Sequence, residues 1–197
     1  MTQMILCRSR SIRFAVAVLA ATLVVPTIAA AQSVTGRAKA VQASVLGTTV
    51  LADTGALANS SDARDATLQI GTIPSLLSGE VLHAVTVGWP DQVASEASLA
   101  NVNMVIGATA VSASFVMARA LADTSTGGNA TALIHNLTVN GVSVAVTGAP
   151  NQRIAIAGGQ LLINEQTSTA GGTTVNALHA TVLGVDVVIA SATAGIQ

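Results

Sequence analysis

The chain has 197 residues and a formal net charge of −1, with 9% charged, 51% hydrophobic and 2% aromatic residues. The five basic residues after position 31 are too scattered to form a positive stripe, so no nucleic-acid partner is expected. The single cysteine, Cys7, excludes a disulfide framework and a thiolate metal site.

Residues 1–31 have the three parts of a secretory signal peptide. Three arginines precede an apolar run over residues 14–25, and three alanines stand directly before Gln32. The apolar run is shorter than the roughly 20 residues that a membrane-spanning helix needs. We therefore expect cleavage after Ala31 and one exported domain over residues 32–197, without a membrane span. Its expected location is secreted or at the cell surface, with the periplasm as a further possibility.

Alternating apolar and polar residues predict strands in the first half of this domain. One or two strands are expected over residues 33–50 and another over residues 81–88. Ser60–Asp62 is a candidate cap for a short helix. Residues 95–122 predict two long strands with a bend or bulge at Gly107–Ala108, and Phe115 is expected on the same face as Ala113.

The second half contains closely spaced strand and turn signals. Asn140–Gly141 predicts a hairpin between strands over residues 134–139 and 142–147. Four further strands are expected, over residues 153–157, 160–166, 174–183 and 185–193. This spacing predicts an all-β, single-domain antiparallel β-sandwich or barrel. The richness in Gly, Thr and Ala also suits a β-solenoid, which stays open as the alternative.

Four short segments carry a family resemblance. In chain order they read LTVNG (137–141), LLINEQ (161–166), VNALH (175–179) and DVVIA (186–190). Their order and spacing resemble the choice-of-anchor P family of bacterial exported surface proteins. The resemblance implies an exported β-rich domain, often followed by an anchoring signal, and implies no catalytic residues. No anchor is visible before Gln197, so release or capture by a cell-envelope partner is expected.

Asn164, Glu165 and Gln166 form the most polar interruption of an apolar strand. Their oxygens suit a calcium ion or a sugar hydroxyl, and their side chains equally suit hydrogen bonds to a sheet edge or a neighbouring loop. His179, within VNALH, is the strongest candidate among the three histidines. Asp186 is its candidate carboxylate partner. The histidines show no HxH or HExxH clustering, so no metal ion or other cofactor is expected.

Trp89 precedes Pro90 in a turn and is the only tryptophan. On an exposed loop it would stack on a sugar ring or contact a partner, and otherwise it would plug one end of the sandwich or barrel.

The leading interpretation is an exported, non-enzymatic structural or cell-surface protein that self-associates. Its long strands rich in Ala, Val and Ser, such as residues 102–122, are the expected sites of pairing between subunits. The alternative is an extracellular module that binds carbohydrate or another surface ligand. An enzyme would need two of five side chains to converge in a pocket. These are His83, His135, Glu165, His179 and Asp186.

Overall fold

A computed structural model describes residues 33–125 and 127–197, so the expected signal peptide lies outside the described residues. Every described residue belongs to one compact unit, Ala31–Gln197. Within the described ranges this unit contains thirteen strands and no helix. Accordingly, no described helix is long and apolar enough to cross a membrane.

The strands are two to fifteen residues long. In chain order they are β1 (Val34–Ser44), β2 (Thr48–Asp53), β3 (Ala63–Ile73), β4 (Leu77–Gly88), β5 (Gln92–Ile106), β6 (Thr109–Asp123), β7 (Gly127–His135), β8 (Thr138–Val139), β9 (Val142–Ser143), β10 (Gln152–Ile156), β11 (Gly159–Thr169), β12 (Gly172–Val182) and β13 (Val185–Ile196).

These strands form two antiparallel sheets that pack face to face. The first, sheet A, has the order β10-β11-β12-β13-β1-β2. The second, sheet B, has the order β3-β4-β5-β6-β8-β9, and β7 pairs with the other half of β6. Strands β1, β12 and β13 lie against β4, β5 and β6 across the core. The predicted β-sandwich is confirmed, and the barrel and solenoid alternatives are wrong because two separate antiparallel sheets form.

The core between the sheets is built from Ala, Val, Leu, Ile and one Met, with no aromatic side chain among its buried residues. Each alanine or valine removes little apolar area from water. The folded state therefore depends on many close aliphatic contacts rather than on a few large side chains.

A line of residues with unusual backbone geometry crosses sheet A. The pairings on either side place Asn164, Ala177, Ala190, Ala40 and Ala52 side by side across β11, β12, β13, β1 and β2. Three of them have positive φ: Asn164 at 52°, Ala190 at 53° and Ala52 at 49°. We refer to this line as the left-handed row of sheet A.

Sheet B carries a matching left-handed row. Val81, Asn101 and Asn136 have φ of 48°, 49° and 53°, and Asn136 lies opposite Ser114 at the end of β7. The register between β4 and β5 shifts at the same place. Because side chains of an extended strand alternate between the two faces, one left-handed residue reverses the phase of that alternation, as a β-bulge does.

The burial pattern shows this reversal directly. In sheet A two consecutive residues of β12, Ala177 and Leu178, are both buried. In sheet B Asn101 is exposed and its neighbour Ala100 is also outside the core. The expectation that Phe115 shares the face of Ala113 is therefore wrong, since Ala113 is buried and Phe115 lies outside the core.

Several local predictions are refined by the structure. Asn140–Gly141 does form a turn, but it joins the two-residue strands β8 and β9 rather than two long strands. The two long strands predicted around Gly107–Ala108 are β5 and β6, and these two residues form the tight turn between them rather than a bend or bulge. Ser60–Asp62 caps no helix. There the Asp62 carboxylate accepts a hydrogen bond from the backbone N–H of Ala58.

Replacing Val81 by asparagine should stabilise the fold. A β-branched residue at φ 48° carries a steric cost of about 1–2 kcal/mol that asparagine largely avoids, and Val81 is exposed and loses little packing. We expect Val81→Asn to raise the free energy of unfolding by about 1 kcal/mol, measured by chemical denaturation of dilute protein.

The matched control is Val105→Asn, an exposed valine of β5 without positive φ. There asparagine should lower stability, because it replaces a good strand former on an ordinary strand. Equal effects of the two substitutions would contradict a strained backbone at Val81.

Candidate functional site

Three of the titratable side chains predicted from the sequence meet on the outer face of sheet A. The imidazole of His179 lies between two carboxylates, with Nδ1 2.7 Å from Glu165 Oε2 and Nε2 2.7 Å from Asp186 Oδ2. The three residues come from adjacent strands, β11, β12 and β13. All three side chains are only partly exposed to solvent. We call this group the carboxylate–histidine cluster.

Two residues that were not predicted complete the cluster. Asn176 Nδ2 donates to Glu165 Oε2 at 2.7 Å, and Thr181 Oγ1 donates to Asp186 Oδ2 at 3.3 Å. Glu165 pairs directly with Asn176, and Asp186 pairs directly with Thr181. Each carboxylate therefore bonds its own cross-strand partner as well as the imidazole.

The left-handed row of sheet A is what brings Asn176 and His179 to one carboxylate. Residues three apart on a regular strand point to opposite faces. Between these two, Ala177 and Leu178 both point into the core, so the phase reverses and both polar side chains emerge on the outer face. The signal visible in the sequence is the apolar pair inside the VNALH segment.

The cluster favours the charged form of its histidine. Burial by itself lowers the pKa of His179, because removal from water disfavours the imidazolium. Hydrogen bonds to Asp186 and Glu165, together with the negative charges of these carboxylates, outweigh burial and raise the pKa of His179 above 6.5. Only the doubly protonated ring can donate from both nitrogens, as this geometry requires.

This arrangement limits the chemistry of the cluster. A histidine that abstracts a proton or ligates a metal needs a nitrogen with a free lone pair, but both nitrogens of His179 face carboxylates. Over residues 33–125 and 127–197, no three His, Cys, Asp or Glu side chains are arranged to hold a metal ion. The geometry suits a structural ionic cluster, which we call the clamp, that links β11, β12 and β13 through their side chains.

The other polar residues of the LLINEQ segment point elsewhere. Asn164 is 4% exposed, and its Nδ2 donates to the carbonyl of Gly148 at 2.9 Å. Gln166 Nε2 donates to Asn164 Oδ1 and to the carbonyl of Ala130 on β7, both at 2.9 Å. These two side chains therefore fasten sheet A to the β9–β10 connection and to the outer edge of β7, which is one of the two roles predicted for them.

Trp89 lies apart from all of these residues. It occupies the β4–β5 turn of sheet B, where its backbone N–H donates to the carbonyl of Gln92 at 2.7 Å. Its side chain is 42% exposed and is not among the residues packed against the core. The prediction that it plugs one end of the sandwich is wrong, because aliphatic side chains close the core without it.

The remaining two histidines do not join the cluster. His83 lies on β4 and His135 at the end of β7, both in sheet B. The ring of His135 lies near Phe115, with centroids 5.9 Å apart. The structure thus brings together three of the five residues proposed for an enzyme site, on one sheet face.

Comparison with known proteins adds no relative. No protein-family model matches the chain, and no curated protein or solved structure shows significant similarity to it.

The carboxylate–histidine cluster should make folding stability depend on pH. A pKa that is higher in the folded than in the unfolded state contributes stability that is complete below the unfolded value. That contribution disappears as the pH rises through the folded pKa. We therefore expect the free energy of unfolding to fall as the pH is raised from about 6.5, measured by urea denaturation across a pH series.

His179→Gln should remove this decline, and His135→Gln, which changes an exposed histidine outside the cluster, should leave it in place. A decline that persists unchanged in His179→Gln would contradict the clamp.

Replacing Asn164 by alanine should weaken the junction between the sheets. The change forces alanine into positive φ, removes the side-chain donor to the Gly148 carbonyl and leaves the Gln166 amide with the Ala130 carbonyl as its remaining acceptor. We expect a loss of about 2 kcal/mol in unfolding free energy. Asn129→Ala, on the exposed part of β7, should change stability by less than about 0.5 kcal/mol. A similarly small effect at Asn164 would contradict the assigned role.

Proposed function

We propose that this chain is an exported, non-enzymatic structural or cell-surface protein that self-associates through the edge strand β3. Export is inferred from residues 1–31 and from the resemblance of residues 133–195 to choice-of-anchor P proteins. A non-enzymatic role is supported by the closed hydrogen bonding of His179. The observation that carries self-association is the character of β3.

Strand β3 is long and poorly protected. It forms one edge of sheet B over Ala63–Ile73, and its only charged residues, Arg64 and Asp65, lie at its beginning. No charged residue follows until Glu80. Ile70 is 71% exposed, and Leu68 and Val81 are exposed beside it. Proteins that avoid edge pairing place charged residues, prolines or bulges on such strands. Residues 66–73 contain no charged residue and no proline.

Three other edges are better protected, and the remaining edge strand, β9, has only two residues. Strand β2 is short and ends at Asp53, which bonds Arg37 across the strands. Strand β10 has five residues and carries Arg153. The outer edge of β7 is contacted by the Gln166 side chain. Self-pairing is therefore expected at β3 and not at these edges.

The strands first proposed for self-association are not available. Residues 102–122 belong to β5 and β6, and both strands have neighbours on each side within sheet B. Their backbone groups are already paired, which removes them as sites of contact between subunits. Residues 102–122 carry one charged residue, Arg119, and this sparse charge reflects their central position in the sheet.

The carbohydrate-binding alternative rests on Trp89 alone. Its exposed ring suits stacking on a sugar, but it lies on sheet B, whereas Glu165 and His179 lie on sheet A and bond one another. The polar residues predicted from the sequence do not combine with Trp89 into one sugar site, so self-association is the better-supported function.

A lysine at position 70 should block assembly. Two copies pairing antiparallel through β3 would place Ile70 within the new contact, where a charged side chain opposes burial. In size-exclusion chromatography with light scattering, we expect the wild-type protein to form dimers or larger species. Ile70→Lys should weaken association at least tenfold. Leu133→Lys, at another exposed aliphatic residue on β7, should associate like the wild-type protein.

A wild-type protein that stays monomeric at high concentration would overturn the proposal. Assembly that survives Ile70→Lys and fails with Leu133→Lys would place the contact at β7.

A further inference from the structure

The two ends of the sandwich differ sharply in chemistry. Six tight turns lie at one end, where β1, β3, β5, β8, β10 and β12 finish, and none of them contains a charged residue. We call them together the aliphatic end: Val45–Gly47, Pro74–Leu76, Gly107–Ala108, Asn140–Gly141, Ala157–Gly158 and Leu183–Gly184.

The opposite end carries acidic residues and the two ends of the described chain. Asp62, Asp91 and Asp123 lie in or beside its connections. Ser33 and Gln197 also lie there, joined by two backbone hydrogen bonds of 2.9 Å. The charge nearest the aliphatic end in β13 is Asp186, which is already bonded to His179.

The aliphatic end exposes large apolar side chains, which a turn in contact with water does not require. Leu46 is 104% exposed and Leu183 is 82% exposed, and Val45 and Val142 are also exposed nearby. Three of these turns, those of β1–β2, β3–β4 and β5–β6, line an apolar cleft of about 590 Å³, whose walls include Leu46.

A comparison within the molecule shows that the fold does not require leucine at one tip. Asn140–Gly141 and Leu183–Gly184 both join antiparallel strands with two left-handed residues, at φ 50° and 76° and at φ 49° and 83°. Asn-Gly is the preferred sequence for this turn, whereas leucine there is strained. Leu183 thus occupies a position where asparagine would fit the left-handed backbone better and would be better solvated.

We propose that the aliphatic end inserts into the interface of an uncharged or zwitterionic lipid layer. Leucine side chains on separate hairpin tips gain free energy by moving from water into the acyl region, in proportion to the apolar area buried. The absence of lysine and arginine from all six turns matches a surface without net charge, and the acidic end faces away from it. A second copy is the less suitable occupant, because the unprotected pairing edge is β3.

The test uses the compact unit Ala31–Gln197, which contains both sheets and the described core. It is mixed with phosphatidylcholine vesicles and centrifuged through a density gradient, and the protein that floats is measured. The test variant combines Leu46→Asn with Leu183→Asn. The control is Leu133→Asn, which changes an exposed leucine on β7, away from the turns.

We expect the wild-type unit and the control to float with the vesicles and the double variant to bind at least tenfold more weakly. Leu183→Asn alone should also raise the melting temperature, because it restores the preferred turn sequence. Weaker binding would then not reflect unfolding.

Three results would overturn the proposal. In these results the wild-type unit does not float, the double variant floats equally well, or flotation requires anionic phosphatidylglycerol. If light scattering shows an oligomer that only the double variant loses, the aliphatic end contacts a second copy instead. Because the double variant leaves β3 unchanged, the difference in flotation between it and the wild-type unit does not depend on self-association through β3.

Discussion

The structure depends on one backbone constraint, which is that both sheets reverse the phase of their side chains at the same level. Each left-handed row crosses its sheet about five residues from the aliphatic end, with Ala190 in sheet A and Asn101 in sheet B as central members. The reversal adds consecutive inward residues to sheet A and consecutive outward residues to sheet B. Because each strand's phase must match that of its neighbours for one face to stay apolar, the rows extend across several strands. A reversal confined to one strand would send its remaining apolar side chains into water.

The carboxylate–histidine cluster follows from this constraint. Without the inward pair Ala177–Leu178, Asn176 and His179 would lie on opposite faces, and Glu165 would bond only one of them. The cost of holding alanine and asparagine in the left-handed region is offset by the packing that the rows permit and by the ionic contacts they align. Since His179 lies between two carboxylates, three strands are joined at their outer face by hydrogen bonds that the charged form of the imidazole favours. The chain has few charged residues, and the three of this cluster together join the outer faces of β11, β12 and β13.

Local patterns predicted the strand content well and the phase of the strands poorly. The two long strands around Gly107 and the four strands after Gln152 follow from alternation and turn residues, which are local properties. The left-handed rows do not, because Ala52, Val81 and Ala190 are residue types that rarely adopt positive φ, and only neighbouring strands explain why they do. The same reason applies to the site. Glu165, His179 and Asp186 stand out by type, but their convergence depends on a register that alternation alone does not specify.

The distribution of the few charges argues for two compatible contacts. Residues 66–73 of β3 lack charge along one side of the sandwich, and the aliphatic end lacks charge in its turns. Pairing through β3 would extend sheet B sideways, in the direction of its hydrogen bonds, whereas insertion of the turns acts along the strands. Because these directions are perpendicular, neither contact obstructs the other. An assembly joined through β3 would present several aliphatic ends side by side, and a lipid layer would bind such an array more tightly than one copy, since each end adds its own apolar area.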